Sequence, residues 1–456
     1  MRFSLSLKDL FTKLPIVETL KYVGIIVPIL FGLLGLEYYL SKRRNMEVYT
    51  FSDTIVNICC GMLERISDFF FIVVFYFVLG FMEQLAPFHL PANLLPFLGD
   101  GAGVLFASGV LTFILALMVT DWAAYWHHRL SHEVNMMWAS HIVHHQSEEL
   151  NITTVFRVSG FAVFYRALFF FWIPLVGFSA EMATSAIVFI GLFQFVTHTR
   201  LVNKLGILEY FFVTPSHHRV HHARNEQYID KNYGHVFIIW DKIHGTFEPE
   251  VEEPEFGIIS GFESANPYWA YLHYWADLYR RSKAIPGWGD KIRLWLMPPA
   301  WMPDGMKVDK PEFEVDERGR RKKFTISVPF RLQLYIGLST AMILVGFVRV
   351  IASRWEIPPL EMGLLIVMVM ATTFSVGSLL ERRRWAWKAE LGRLAYIALC
   401  LPIIVWNYPY GWVTCLVLLP ILLFFAFWMI RMRNYYMEDK PTEVKNRGDR
   451  QISVAS

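Results

Sequence analysis

The sequence predicts an all-α, polytopic integral membrane protein with about nine membrane helices, on three observations. Of 456 residues, 54% are hydrophobic and only 18% charged, whereas soluble domains average about 25% charge, so a lipid-facing surface accounts for the shortfall. Nine segments approach the roughly 20 apolar residues a helix needs to cross hydrocarbon. All histidines except His89 and His273 lie between His127 and His244. The tight clusters among them each follow an apolar segment.

The spans are expected at about 21–41, 66–88, 103–126, 161–178, 181–199, 331–351, 361–380, 393–407 and 411–431. The fourth, fifth and eighth are short or interrupted, which suits re-entrant segments. The stretch 47–64, with Asp53 and Glu64, reads as an amphipathic helix on the membrane surface. Met1 to Leu20 carries no cleavage-site pattern, so the first span itself is expected to direct insertion.

The chain divides into N-terminal membrane helices (1–126), a histidine-rich region with two further spans (127–260), a cytosolic irregular segment (261–330), C-terminal membrane helices (331–436) and a tail (437–456). The Pro-rich run Pro286–Pro311 suggests irregular surface structure, and the polar tail is expected to be disordered. Cys59, Cys60, Cys400 and Cys415 all sit in apolar surroundings, without the spacing of a disulfide framework or a CxxC site. The net charge of +3 comes with no basic aromatic platform, so no nucleic-acid partner is expected.

Basic residues set the orientation. Lys42 to Arg44, Arg320 to Lys323, Arg382 to Arg384, and Arg431 with Arg433 lie at span ends; placing them in the cytoplasm follows the positive-inside bias. Nine crossings then put the N-terminus outside and every histidine cluster on the cytosolic face. Arg349 and Arg354 fall on the other side.

The clusters are His128-Arg-Leu-Ser-His132, His141-Ile-Val-His144-His145 and His218-Arg-Val-His221-His222. Residues three and four apart share a helix face, so each cluster projects its rings from one side. Neutral imidazole is the commonest protein ligand for transition metals, and eight imidazoles exceed what one ion uses. The pattern therefore points to a cytosol-facing di-metal site, about four nitrogens per metal. His198, closing Gln194-Phe-Val-Thr-His198, is a ninth candidate. Zinc also suits imidazole, but structural zinc takes four ligands and catalytic zinc three, so two irons explain the ligand count better.

His127 and His217 each precede a cluster histidine and point about 100° away from it on a helix. His89 and His273 are solitary, and His235 and His244 could line the site. Ligating imidazoles need a partner for their second nitrogen. Asp121, two turns before His128, and Asp230 and Asp241 are candidates.

These residues carry a resemblance. The stretch from His128 through Glu133 to His145, the run Thr214-Pro-Ser-His-His-Arg-Val-His-His-Ala-Arg-Asn225, and Asp230-Lys-Asn-Tyr with Ile238-Ile-Trp-Asp-Lys242 and Gly245-Thr-Phe-Glu248 resemble the fatty acid hydroxylase and sterol desaturase superfamily. They are most similar to its members that cleave alkylglycerol ethers. The resemblance implies a tetrahydrobiopterin-dependent, di-iron monooxygenase using molecular oxygen and an ether lipid drawn from membrane lipids. It would hydroxylate the alkyl carbon next to the ether oxygen of a 1-O-alkylglycerol, and the product would collapse to a fatty aldehyde and a glycerol derivative.

The resemblance carries over His128, His132, His141, His144, His145, His218, His221 and His222 as metal ligands, with His198 beside them. Glu133 would be catalytic and contact the pterin. Gln194 stands where other members have a histidine, and His235 and His244 receive no ligand role. Side chains of 161–199 are expected to line the alkyl tunnel. The membrane would be endoplasmic reticulum in a eukaryote and the inner membrane in a bacterium.

Two other readings remain. A sterol or fatty-acyl hydroxylase or desaturase would use the same site with an external electron-transfer chain, since no fused cytochrome b5 motif is present. A metal transporter would place its polar ligands at mid-membrane, whereas these lie at segment ends.

Overall fold

The computed structural model describes residues 23–438 apart from 92, 93, 100, 309, 310, 318, 353–356 and 407, together with residues 452–454. The N-terminal stretch read for a signal peptide, Arg354 and most of the polar tail lie outside the described residues.

Fourteen α-helices carry the described fold, beginning with α1 (Val23–Arg43), α2 (Phe51–Gln84), α3 (Ala102–Glu133), α4 (Asn135–His145) and α5 (Val163–Phe170). Next come α6 (Ala180–Thr197), α7 (Pro215–His221), α8 (Ile239–His244), α9 (Pro267–Ala284) and α10 (Trp288–Leu296). The last four are α11 (Phe330–Ala352), α12 (Pro359–Leu380), α13 (Ala386–Val405) and α14 (Gly411–Met437). A three-residue strand β1 (Met306–Val308) pairs antiparallel with β2 (Ile452–Val454).

Six of these helices are long and apolar enough to cross a membrane: α2, α3, α6, α12, α14 and the Phe330–Val348 part of α11. The protein is an integral membrane protein. Of the other three predicted spans, one matches a described helix and two depart for visible reasons. The first coincides with α1, described from Val23 onward, which ends on Lys42 and Arg43. The fourth is interrupted: α5 stops at Phe170, a 3-10 turn covers Ile173–Val176, and Gly177 takes a left-handed φ of 96°. The eighth coincides with α13, which carries Lys388, Glu390 and Arg393.

The expected surface helix at 47–64 is corrected. It is the first half of α2, with Ile55, Val56, Cys59, Cys60, Met62 and Leu63 inside the protein core. Its acids are not laid against a membrane. Asp53 accepts from Arg157 at 2.9 Å, and Glu64 pairs with Arg65. At 34 residues, α2 is about 51 Å long, well beyond the roughly 30 Å hydrocarbon core. Only its second half turns outward, exposing Phe70, Val74, Phe77 and Phe81. Gly61 makes the buried half possible, since a Cβ there would stand 2.9 Å from the Phe156 Cβ.

The expected irregular segment 261–330 also contains two helices. In α9, Pro267 opens the first turn, Asn266 caps it by accepting from the Tyr268 and Trp269 amides, and Ala270, Tyr271, Tyr274 and Leu278 face the main core. A low share of apolar residues hides such a helix from a hydropathy reading. Together with its neighbour α10 it holds the start of α4: Asn135 donates to Leu294 O of α10 at 2.8 Å and accepts from Tyr274 of α9 at 2.7 Å.

The main core joins the first half of α2, α4 and α9 to the C-terminal helices. A second core packs Ala116, Leu117, Ala123 and Ala124 of α3 against Ala183, Ala186 and Ile190 of α6, with Phe170, Ile173 and Val236. Inside the C-terminal bundle, Arg393 makes a two-pronged pair with Glu390, whose carboxylate also accepts from Tyr335 and Ser375. Removing one partner of such a buried pair strands the other charge, at about 3–5 kcal/mol. Arg393→Leu should therefore lower the thermal unfolding midpoint in detergent sharply, and Glu390→Gln combined with it should recover much of the loss.

Candidate metal centre

Two short helices and the ends of two long ones deliver the imidazoles. The last two turns of α3 carry His128 and His132, and the chain then breaks at Val134, whose extended backbone starts α4. The end of α4 carries His141, His144 and His145. His198 caps α6. Pro215 sits in the first turn of α7, which presents His218 and His221 with His222 at its end.

The structure brings all nine together as two groups. His128, His132, His141, His145 and His221 form one, and His144, His198, His218 and His222 the other; ligand nitrogens within each lie within 4.8 Å of one another. The sequence did not foretell how the triplets divide. Residues four apart stay together (His141 with His145, His218 with His222), while His144 and His221 cross to the other group. The groups adjoin, with the His145 ring stacked 4.5 Å from that of His222.

Backbone carbonyls orient the rings. The Nδ1 of His128 lies 2.7 Å from Tyr233 O, that of His221 3.0 Å from Lys231 O, that of His198 2.8 Å from Gln194 O, and that of His144 3.3 Å from Arg157 O. A carbonyl only accepts, so each Nδ1 holds the proton and each Nε2 presents a lone pair inward. His144 Nε2 and His198 Nε2 then face each other at 3.1 Å, lone pair to lone pair. That approach repels unless a cation lies between. His132 Nε2 and His221 Nε2 are likewise buried without a hydrogen-bond partner. Burial first, and neighbouring imidazoles second, hold His141, His145, His218 and His222 well below the usual imidazole pKa, and burial brings His144 to about 4. The rings are therefore neutral at pH 7, the form that binds metal. The donor set fits two transition-metal ions.

The partner residues differ from expectation. Asp230 does lie beside His132, its Oδ1 3.5 Å from Nδ1. Asp121 touches no imidazole: it accepts from the Val236 and Phe237 amides, both at 3.0 Å, and from Trp240 Nε1 at 3.1 Å. Asp241 accepts from the Tyr233 and Gly234 amides at 2.7 and 2.8 Å, and so holds the carbonyl that orients His128. Arg157 escaped the sequence reading. Its guanidinium bonds Asp53, Asn57, Gln146 and Val143 O while its own carbonyl faces His144. Main-chain carbonyls carry no sequence signature, although an arginine alone in an apolar region is a signal.

Glu133 stands at the rim, paired with Arg129 at 2.8 Å and about a third exposed. The Gln194 side chain donates to His235 O at 3.3 Å. Outside the two groups, His127 packs on Tyr165 and Phe169, His217 accepts from the Thr214 amide, His235 lies 4.8 Å from the His128 ring, and His244 stacks on Tyr125.

Residues 113–246 match the fatty acid hydroxylase family, a range that encloses all nine imidazoles. Over 369 residues the chain is 30% identical to alkylglycerol monooxygenase of Homo sapiens, covering 80% of this chain and 79% of that protein. The chain belongs to the alkylglycerol monooxygenase branch of the fatty acid hydroxylase family. The Danio rerio enzyme of the same name is 30% identical over 88% of this chain and 86% of its own, and that of Xenopus tropicalis 34% over 60% and 61%. No solved structure matches. As a member of the alkylglycerol monooxygenase branch, the protein is a membrane oxidoreductase whose histidine clusters suit a di-metal site.

Second-sphere partners of metal ligands typically alter affinity 10–100-fold. Asp241→Ala should accordingly reduce the metal retained against a chelator by about that factor, measured by elemental analysis of purified protein. His144→Ala, which removes a donor from the four-imidazole group, should lower metal content in the same assay.

Proposed function

We propose that the protein is a tetrahydrobiopterin-dependent monooxygenase that cleaves 1-O-alkylglycerols. One observation carries the reading: nine imidazoles converge in two adjoining groups, seven of them buried and His141 and His144 half-buried, in a chain whose relatives are alkylglycerol monooxygenases over most of its length. His128, His132, His141, His145 and His221 would hold one iron, and His144, His198, His218 and His222 the other. Bound iron, with electrons from the reduced pterin, would supply the oxygen activation that places a hydroxyl on the alkyl carbon next to the ether oxygen.

The chain's own residues set the conditions for that chemistry. The five- and four-imidazole sets leave the second group the less saturated, and Gln194, where other members have a histidine, directs its amide to His235 O instead. The four-imidazole side is thus the open one. The ether-bearing carbon must be held there, and the hemiacetal needs a proton shifted between its two oxygens to fall apart into fatty aldehyde and glycerol derivative. Orienting the chain and excluding water supply much of the rate in such a site. Tyr165, Phe169 and Phe170, packed around His127, would form the apolar wall along which the alkyl chain lies. Glu133, at the rim beside Arg129, offers a carboxylate to the N–H groups of a pterin. The positive-inside bias of the basic residues at the span ends supports a cytosolic rim, which in a eukaryote would lie at the endoplasmic reticulum.

The test is fatty aldehyde release from a 1-O-alkylglycerol by membranes containing the protein. Release is expected with tetrahydrobiopterin and absent without it. Release equal in both would remove the pterin, and no release from metal-loaded protein would move the reading to a sterol or fatty-acyl substrate with an external electron donor. Glu133→Gln should raise the pterin KM at least tenfold with metal content unchanged; an unaltered pterin dependence would take Glu133 out of the pterin site.

A further inference from the structure

Immediately before the ligand helix α7, the chain exposes a run of large apolar side chains that no described part of the protein covers. Leu205 is 42% exposed, Ile207 74%, Leu208 47%, Tyr210 68% and Phe211 58%. On α8, Ile243 is 62% exposed and Ile239 37%. The two segments form one body. Val213 donates to Val236 O at 2.8 Å and Ile238 to Phe211 O at 3.1 Å, while the Lys242 ammonium donates to Tyr210 O at 2.9 Å. Sequence hydropathy places this whole region in the cytosol, where such a patch would face water.

Its height along the spanning helices says otherwise. The second segment is tied to α3 at Asp121, which accepts the amides of Val236 and Phe237. Asp121 lies twelve residues before the helix end at Glu133, about 18 Å along the axis. Counting about 20 residues from Ala102, the length that crosses hydrocarbon, brings the lipid boundary close to Trp122 and Trp126. Tryptophan at that position is the usual marker of the headgroup level. Val236 is moreover part of the core between α3 and α6, with Phe237 packed against it. The patch is therefore held beside the membrane boundary, continuous with the lipid-facing surface of the spans. Lys204 and Lys242 are exposed at its edge and match anionic headgroups.

We propose that residues 205–212 and 239–243 form a wedge seated in the headgroup–acyl boundary of the membrane. Its occupant is the lipid surface itself. Pro215 of α7 follows Phe212 by three residues, so the depth of the wedge sets the height of the four-imidazole group relative to the bilayer.

The test uses full-length protein in vesicles of phosphatidylcholine with phosphatidylserine. Spin labels are placed singly at Ile207→Cys, Phe211→Cys and Ile243→Cys in a Cys415→Ser background, the other three cysteines being buried. Val251→Cys, at a position 79% exposed, serves as the aqueous reference. Oxygen concentrates in the bilayer and a nickel chelate stays in water. The oxygen-to-nickel accessibility ratio is expected to be several-fold higher at the three wedge positions than at 251. Ratios equal to the reference would overturn the proposal, and labels shielded from both reagents would overturn it in favour of a protein partner. A second measurement needs no substitution: a lipid bearing a photoreactive group in its acyl chain should mark peptides covering 205–212 and 239–243 of the unmodified protein. Their absence from the marked peptides would count equally against it.

Discussion

Opposed lone pairs are the constraint on which the rest of this structure depends. A neutral imidazole has one proton, and where a carbonyl takes that proton at Nδ1 the ring must turn its unprotonated face inward. His144 and His198 do this toward each other at 3.1 Å, an arrangement the protein alone does not favour. Every feature around the centre keeps those rings from relaxing. Burial withholds water that would bridge them, and polar contacts hold the ring-bearing turn of α4 and the carbonyl that orients His128.

Two polar devices provide that anchoring. Arg157 ties the buried half of α2 to α4 and lends its carbonyl to His144. Asp121 and Asp241 together fix the loop 232–246 through four backbone amides, and that loop offers the Tyr233 carbonyl to His128. A charged group inside a membrane protein is costly unless fully paired. Here Arg157 is paired with Asp53, and Asp121 and Asp241 accept neutral N–H groups, so the bonds that satisfy these groups also position the imidazoles. The aromatic and aliphatic remainder of the core is less particular: it needs volume and apolarity, which many residues supply.

The centre was legible because imidazole ligation has a compact signature. Three clusters at three- and four-residue spacing and a lone histidine four residues after Gln194 name all nine rings that converge. Several things were not legible. Helix α9 carries too many polar residues to stand out by hydropathy, and the acids of α2 suggested a surface helix because the partner of Asp53, Arg157, lies about a hundred residues away. Asp121 sits two turns from His128 on the right face, yet it serves backbone amides from a distant loop. A pattern read along one helix cannot reveal which remote segment arrives to claim a side chain. Carbonyl acceptors, being common to every residue, leave no trace in the sequence at all.

The division of the triplets bears on how such a protein comes into being. Each H-x-x-H-H helix lends rings to both groups, so neither group is encoded by a separable stretch of chain. A newly made polypeptide exposes α3 and α4 well before α7 is synthesised, and at that stage it holds only four of five donors for one ion and a single donor for the other. Metal acquired early would sit in the first group alone. The second group closes only when His198 and α7 dock, which makes maturation of the centre a late event, timed by the completion of the membrane bundle and not by the supply of metal.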